Sequence, residues 1–216
     1  MHEWYSHPYT HVLLVTSPLP NDLPSGMSYS NSKAYHQRGW CFYEMRVAAL
    51  VKHRTLLWDL GKYQATYPFA SATYADAPSE DYFGCCRLMA AKRPVPMSPE
   101  DVGKEFRARV ARTDDQMLSF SYSADLEPVI DLYRRGFVSA IESFPENSSK
   151  GSQISFQGLQ WDDSTEATLV ATWTYAVKHC NPSGQVRVNM ARNKFSKKGS
   201  QRISDVFRGK ITLSGI

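Results

Sequence analysis

The strongest constraint in this sequence is the order of its apolar segments near the N-terminus. Residues 11–16 are a continuous apolar run closed by two prolines, which is typical of a strand buried on both faces of a parallel sheet. Residues 39–52 carry apolar side chains around most of a helix, so this helix is expected between two layers. Residues 55–60 predict a second buried strand. Strand, helix and strand in this order predict a right-handed βαβ unit with parallel strands.

Composition sets the class of protein. The chain has 216 residues, of which 42% are hydrophobic and 21% charged, as in ordinary soluble globular proteins. No apolar run approaches the roughly 18 residues that a membrane-spanning helix needs. The first residues have neither the basic nor the apolar segment of a secretory signal. We therefore expect a soluble cytoplasmic protein without a membrane span.

The cysteines and histidines give no clear metal site. The four cysteines are Cys41, Cys85, Cys86 and Cys180. They lack zinc-site spacing and are too few for a disulfide framework, which favours a reducing compartment. His2, His7 and His11 could hold a metal, but no acid or cysteine joins them at ligand spacing. A leader packed on the domain edge is the alternative interpretation, and no metal site is predicted.

The middle of the chain predicts two more helices. Residues 62–96 show no clean period, and Ser98 then begins a helix that should extend to about residue 112, with proline and acids in its first turn. A second amphipathic helix is predicted from residue 125 to the proline at 145. Residues 147–152 have the composition of a linker. The sequence thus predicts an α/β domain over 1–147 and a tail over 148–216.

The tail alternates strands and helices in units of roughly 25 to 35 residues, as solenoid proteins do. Strands are predicted near residues 154, 188 and 212, and a capping box formed by Asp163 and Glu166 should open the helix between the first two. The residues predicted to face inward on that helix are Ala167, Val170, Trp173 and Val177.

Two motifs carry resemblances to known families. The pattern Tyr35-x-x-Arg38-Gly39-Trp40-Cys41-x-x-Glu44, after its buried strand, resembles the Toll-receptor-type (TIR) domains found in protists. That resemblance implies a parallel sheet with flanking helices, partially TIR-like or flavodoxin-like. In enzymatic members the matching glutamate stabilises the oxocarbenium-like sugar during NAD cleavage, which points to Glu44 as a candidate catalytic residue. A TIR domain has some 60 residues before this strand and this chain about ten, so we expect a shortened relative or a fragment.

The second resemblance is to leucine-rich repeats of the ribonuclease-inhibitor type. It rests on Val188-x-Met190-x-x-Asn193-x-Phe195 followed by Gly199. The resemblance implies that the Asn193 side chain satisfies backbone groups at the turn. In the preceding unit Leu159 takes the place of the asparagine.

The candidate site residues all have alternative, structural interpretations. Glu44 could stabilise the helix dipole or pair with a neighbouring arginine instead of acting in catalysis. Asp59, at a strand end, and Trp40 are candidate cofactor-binding residues, although aspartate at a strand end is also a common turn former. Cys41 fits a small buried hydrophobe, and a trio of Cys41, His36 and Asp59 has no supporting spacing.

Two functions of different class follow. The first is an intracellular scaffold that binds protein partners, with homo-oligomers allowed. The second is an NAD glycohydrolase that uses Glu44 and takes NAD as substrate, with no bound cofactor. The basic residues between 187 and 210 could bind nucleic acid, but a solvated helix face is the commoner meaning of such a run, and no nucleic-acid partner is predicted.

Overall fold

The computed structural model describes residues 5, 7, 9–19, 23–29, 32–53, 56–62, 91–144 and 153–216. Within them lie five strands: β1 (Val12–Leu14), β2 (Leu57–Asp59), β3 (Gln153–Ser155), β4 (Val186–Asn189) and β5 (Ile211–Ser214). The five helices are α1 (Gly39–Val51), α2 (Pro99–Val110), α3 (Leu126–Glu142), α4 (Glu166–His179) and α5 (Lys197–Ser204). Every strand pairing among these elements is parallel, so the fold is of the mixed α/β class.

The predicted βαβ unit is present. β1 and β2 pair in parallel, with Val12 opposite Leu57 and Leu14 opposite Asp59. The prediction that the first strand is buried on both faces is wrong, because Leu13 and Val15 are 52% and 59% exposed whereas Val12 and Leu14 are buried. Helix α1 packs on one face of this short sheet, and the side chains of alternate residues therefore point to the other face.

Helix α1 lies between layers, as its apolar circumference predicts. Ala48 packs against β1 and β2, while Phe42 and Val47 belong to a larger core shared with α2 and α3. The predicted start of α2 is confirmed, since the Ser98 hydroxyl caps the helix by accepting from the Asp101 backbone N–H at 3.1 Å. Helix α3 buries its predicted stripe, including Ile130 and Phe137.

The tail folds as predicted strand–helix units, with β3, β4 and β5 in one parallel sheet. The inward face of α4 is confirmed for Trp173, which is buried, and Val170 and Val177 pack partly buried against the core, but the prediction for Ala167 is wrong because that residue is exposed. The other buried residues of the inward face are Leu169, Thr172 and Ala176. The capping box is also wrong. Asp162 caps the turn that precedes α4 through the Ser164 backbone N–H at 3.0 Å, and Asp163 instead accepts from the Ser196 backbone N–H at 2.9 Å. Asp162 thus caps its own turn, whereas Asp163 binds the loop of the next unit, a contact that local spacing does not specify.

The two parts share one core. Buried side chains from α1 through β5 form a continuous hydrophobic cluster. Arg93, only 3% exposed, donates to the carbonyl oxygens of Ala49 (2.8 Å) and Leu50 (3.1 Å) at the end of α1 and to that of Ser155 (2.7 Å) at the end of β3. The predicted boundary between residues 147 and 148 lies outside the described residues and stays a prediction.

Candidate functional site

A cleft of about 1160 Å³ opens between β1, the loop that follows β1, and the first turns of α1. The wall supplied by β1 and the loop is largely apolar. Its apolar side chains include Val12, Leu13, Val15, Leu19 and Met27, and Met45 adds another from α1. β1 therefore forms the floor of a cleft somewhat larger than the roughly 300–1,000 Å³ that is usual for small-molecule sites.

Glu44 lies in this cleft, one turn into α1, and is partly buried. The Tyr5 hydroxyl is hydrogen-bonded to the Glu44 carboxylate. Burial raises the pKa of Glu44 above its ordinary value, and the hydrogen bond from Tyr5 acts in the opposite direction with a smaller effect. Glu44 is the only acid among the described residues that line the cleft. The fold thus holds one carboxylate at the cleft in an environment that disfavours its charge.

Basic side chains lie on the same cleft wall as Glu44. Lys33 and Arg38 both line the cleft, and Arg38 Nε donates to the Lys33 carbonyl oxygen at 2.8 Å. His36, between them in sequence, lines it as well. With two basic side chains and one carboxylate, the cleft suits a ligand that carries both negative groups and a site of developing positive charge.

Tyrosine hydroxyls add donors to the cleft. Tyr35 also lines it, and burial, followed by the effects of Cys41 and Glu44, raises the pKa of Tyr35, so its hydroxyl stays protonated. Tyr29 is a second tyrosine among the lining residues, close in sequence to Lys33.

Cys41 lines the cleft but is not activated. Burial, and then the Glu44 charge, raise the pKa of the Cys41 thiol, while the smaller effect of Arg38 opposes them. The thiolate is the nucleophilic form, so this environment works against nucleophilic chemistry at Cys41. His36 and Cys41 both reach the cleft, but Asp59 is not among its lining residues, so the trio does not assemble.

The other two predicted site residues lie elsewhere. The Trp40 indole is 41% exposed, donates from Nε1 to Asp125 Oδ2 at 3.1 Å, and does not line the cleft. Asp59 accepts from the Thr16 hydroxyl and from the Gly61 backbone N–H at 3.0 Å. The Gly61 contact is that of a turn-forming aspartate, and the Thr16 contact sets Asp59 behind a residue that lines the cleft, although Asp59 itself does not line the cleft.

We compared the chain with family models, curated proteins and solved structures, and none of the three comparisons found a match. Within the described part of the chain, no three histidine, cysteine or acidic side chains are grouped as metal ligands. His2, Cys85 and Cys86 lie outside that part. None of the described helices combines the length and apolar character needed to cross a bilayer.

Sequence reasoning missed most of the cleft. Tyr5 is 39 residues before Glu44, and Lys33 lies in a loop without a helix or strand pattern. The only available signal was position, because side chains at the carboxyl end of β1 and at the start of α1 meet at the same edge of a parallel sheet.

Proposed function

We propose that the chain is an N-glycosidic hydrolase of TIR-like fold that cleaves NAD or a closely related pyridine dinucleotide, with Glu44 as the catalytic carboxylate. The observation that carries this proposal is the position of Glu44, the only acid among the described lining residues of a cleft of about 1160 Å³. The resemblance of residues 35–44 to the TIR motif and the parallel pairing of β1 with β2 also support it.

The chemistry requires stabilisation of positive charge on the sugar. As the bond between ribose C1′ and the pyridinium nitrogen breaks, its electron pair neutralises the leaving nicotinamide and the ribose becomes oxocarbenium-like. The ionised Glu44 carboxylate then stabilises this charge, and water adds to C1′ and releases a proton to solvent. At about 4 Å and an effective dielectric constant near 20, such an interaction is worth about 4 kcal/mol, or roughly a thousandfold in rate.

The remaining cleft residues fit the rest of such a substrate. Lys33 and Arg38 are placed to bind the pyrophosphate, and the apolar floor from β1 to bind a flat ring. The hydroxyl of Tyr5 opposes the rise that burial causes in the pKa of Glu44, and so favours the ionised carboxylate that this chemistry needs.

The test is release of nicotinamide and ADP-ribose from NAD by the purified full chain, measured by liquid chromatography. We expect Glu44→Gln to lower kcat about a thousandfold. The matched control is Glu127→Gln, which removes an acid whose side chain is 62% exposed and paired with Arg107 outside the cleft, and which should retain wild-type turnover. No turnover by the wild type at high protein concentration, or equal turnover in Glu44→Gln, would contradict the proposal.

A second candidate is a protein-interaction module, and one observation favours it. Gln153, Arg187 and Thr212 stand side by side across β3, β4 and β5, and the first two are exposed. The apolar residues of these strands, such as Val188, point to the opposite, buried face. A flat polar sheet face of this kind offers a surface for another protein, including a second copy of this chain.

This candidate is tested by sedimentation velocity of the wild type and of Arg187→Glu over a range of concentrations. Self-association through the sheet face should be lost in Arg187→Glu and unchanged in Glu44→Gln. If the wild type remains monomeric at all concentrations, self-association through the sheet face is excluded.

A further inference from the structure

A small polar pocket lies where the end of α1 meets the turns that follow β3 and β4. Its volume is about 110 Å³, and its lining residues are His53, Ser155, Gln157, Gly158, Leu159 and Arg192. A water occupies roughly 30 Å³ in the liquid, so the pocket has the volume of about three or four waters. This space accommodates a tetrahedral oxyanion and excludes a whole nucleotide.

Arg192 has an unusual backbone conformation at this pocket. Its φ is +60°, in the left-handed region that side chains with a Cβ atom disfavour. Ile154 pairs with Val188 in the sheet, and the same register four residues further on places Gly158 opposite Arg192. Gly158 has a φ of +67°, so the turn requires this conformation in both units. The first unit has glycine at this position, which adopts a positive φ freely, whereas the second has arginine, which does not.

The electrostatics of the pocket favour an anion. None of the six lining residues is an acid, and Arg192 brings a permanent positive charge. The buried guanidinium of Arg93 lies directly behind the pocket, because it donates to the carbonyl oxygen of the lining residue Ser155 at 2.7 Å. Arg93 also donates to the Ala49 and Leu50 carbonyl oxygens. Its positive charge therefore offsets the partial negative charge at the C-terminal end of α1, next to His53.

We propose that this pocket binds a phosphoryl group, with Arg192 as its principal ligand, and that the strained backbone of Arg192 is retained for that purpose. Strained residues persist where the surrounding structure holds them, and they concentrate at ligand sites. The pocket is separate from the cleft at Glu44, and this proposal does not depend on the hydrolase activity. The phosphoryl group could be free phosphate or the end of a small monoester.

The test uses the full chain and two substitutions that separate charge from strain. Arg192→Gln removes the charge and keeps the strained residue, whereas Arg192→Gly removes both. Differential scanning calorimetry is run in sodium phosphate and in sodium chloride of equal ionic strength. We expect a saturable rise of the wild-type Tm with phosphate, and phosphate affinity about tenfold lower in both variants. In chloride, Arg192→Gly should raise Tm by about 2–4 °C.

The control is Arg187→Gln, which removes an exposed arginine on the sheet face outside the pocket and should keep the wild-type response to phosphate. A parallel titration with glycerol 3-phosphate distinguishes the two sources, since a stronger response than to phosphate indicates a monoester. An equal phosphate response in the wild type and Arg192→Gln overturns the proposal, and so does a wild type without any saturable response. A fall of Tm in Arg192→Gly contradicts the role of backbone strain.

Discussion

At the scale of single residues, Glu44 is held where its charge is disfavoured. Partial burial raises the pKa of the carboxylate, and one hydrogen bond from Tyr5 lowers it by a smaller amount. A carboxylate kept only for stability is usually found with an arginine or lysine partner that lowers its pKa. Arg46, two residues further along α1, instead pairs with Glu105 at 2.9 Å.

This environment predicts how stability depends on pH. The pKa of Glu44 is raised in the folded state, so the folded chain holds this proton at pH values where the unfolded chain has lost it. The protonated carboxyl group therefore contributes its full stabilisation below the pKa of Glu44 in the unfolded chain. This contribution is lost as the pH rises through the pKa of Glu44 in the folded chain. We expect Glu44→Gln to match the wild type in Tm at low pH and to become more stable than it as pH rises towards 7. Calorimetry over this range is the measurement, and a Glu44→Gln variant that is less stable at pH 7 would indicate a structural acid.

Tyr5 gives a second prediction at this scale. Its hydrogen bond lowers the pKa of Glu44, so Tyr5→Phe should raise that pKa further. If turnover needs the ionised carboxylate, the acid limb of the pH–kcat profile must move to higher pH in Tyr5→Phe. The pH–kcat profiles of the two proteins are compared by nicotinamide release. Tyr9→Phe, a tyrosine 56% exposed and outside the cleft lining, is the matched control and should leave the profile in place.

At the scale of elements, the strand–helix units of the tail are joined by one side chain. Asn193 Nδ2 donates to the carbonyl oxygens of Met190 (2.8 Å) in its own unit and Phe156 (2.9 Å) in the preceding one, and Asn193 Oδ1 accepts from the Trp161 backbone N–H at 3.2 Å. These are the contacts that the leucine-rich-repeat resemblance implied for Asn193. Leu159 occupies the equivalent position in the preceding unit. That unit contains β3, the first strand of the described tail sheet, so a side chain at position 159 has no earlier described unit to bind.

We therefore expect Asn193→Leu to destabilise the chain, although leucine is the residue found at the equivalent position 159 of the preceding unit. It leaves three backbone groups without their partner, which should lower the free energy of unfolding by about 2–4 kcal/mol. Urea denaturation followed by circular dichroism measures the loss. Asn181→Leu, at an exposed asparagine in the loop before β4, serves as the control and should change stability by less than about 1 kcal/mol.

At the scale of the whole molecule, Arg93 connects the two parts of the chain. Its three hydrogen bonds join the end of α1 to the end of β3, and its guanidinium stacks on the Phe156 ring at 4.1 Å. The Thr172 hydroxyl on α4 donates to the Pro96 carbonyl oxygen at 2.8 Å, and the Asn181 backbone N–H to the Glu142 carboxylate at 2.7 Å. With a continuous hydrophobic core, these contacts predict one cooperative unfolding transition.

Arg93→Met tests this coupling. Methionine fills much of the same volume but removes the donor from two buried carbonyl oxygens and one partly buried one, so we expect a loss of about 3–5 kcal/mol. The change should shift a single transition, with fluorescence and circular dichroism midpoints in agreement. Arg187→Met, at an exposed position, is the control and should leave the midpoint nearly unchanged. Two separated transitions in the wild type would show that the parts fold independently.

The sequence by itself determined the order and type of the elements. The Ser98 cap, the stripe of α3 and the apolar circumference of α1 depend on residues close together along the chain, so their patterns can be read directly. The same local reading placed Glu44 one turn into a helix behind a parallel strand. It failed for Ala167 on α4, which is exposed, and for Asp163, whose partner Ser196 belongs to the next unit.

Only the tertiary structure decided what surrounds Glu44 and which residues join the parts. Lys33 and Tyr5 line the cleft from segments whose sequence patterns differ from those of β1 and α1, and Arg93 binds partners more than 40 residues away along the chain. The strand register also sets Arg192 opposite Gly158 of the preceding unit. Such positions follow from packing between distant segments, to which no local period corresponds. The burial that raises the pKa of Glu44 is a property of that packing, and so is the left-handed backbone of Arg192.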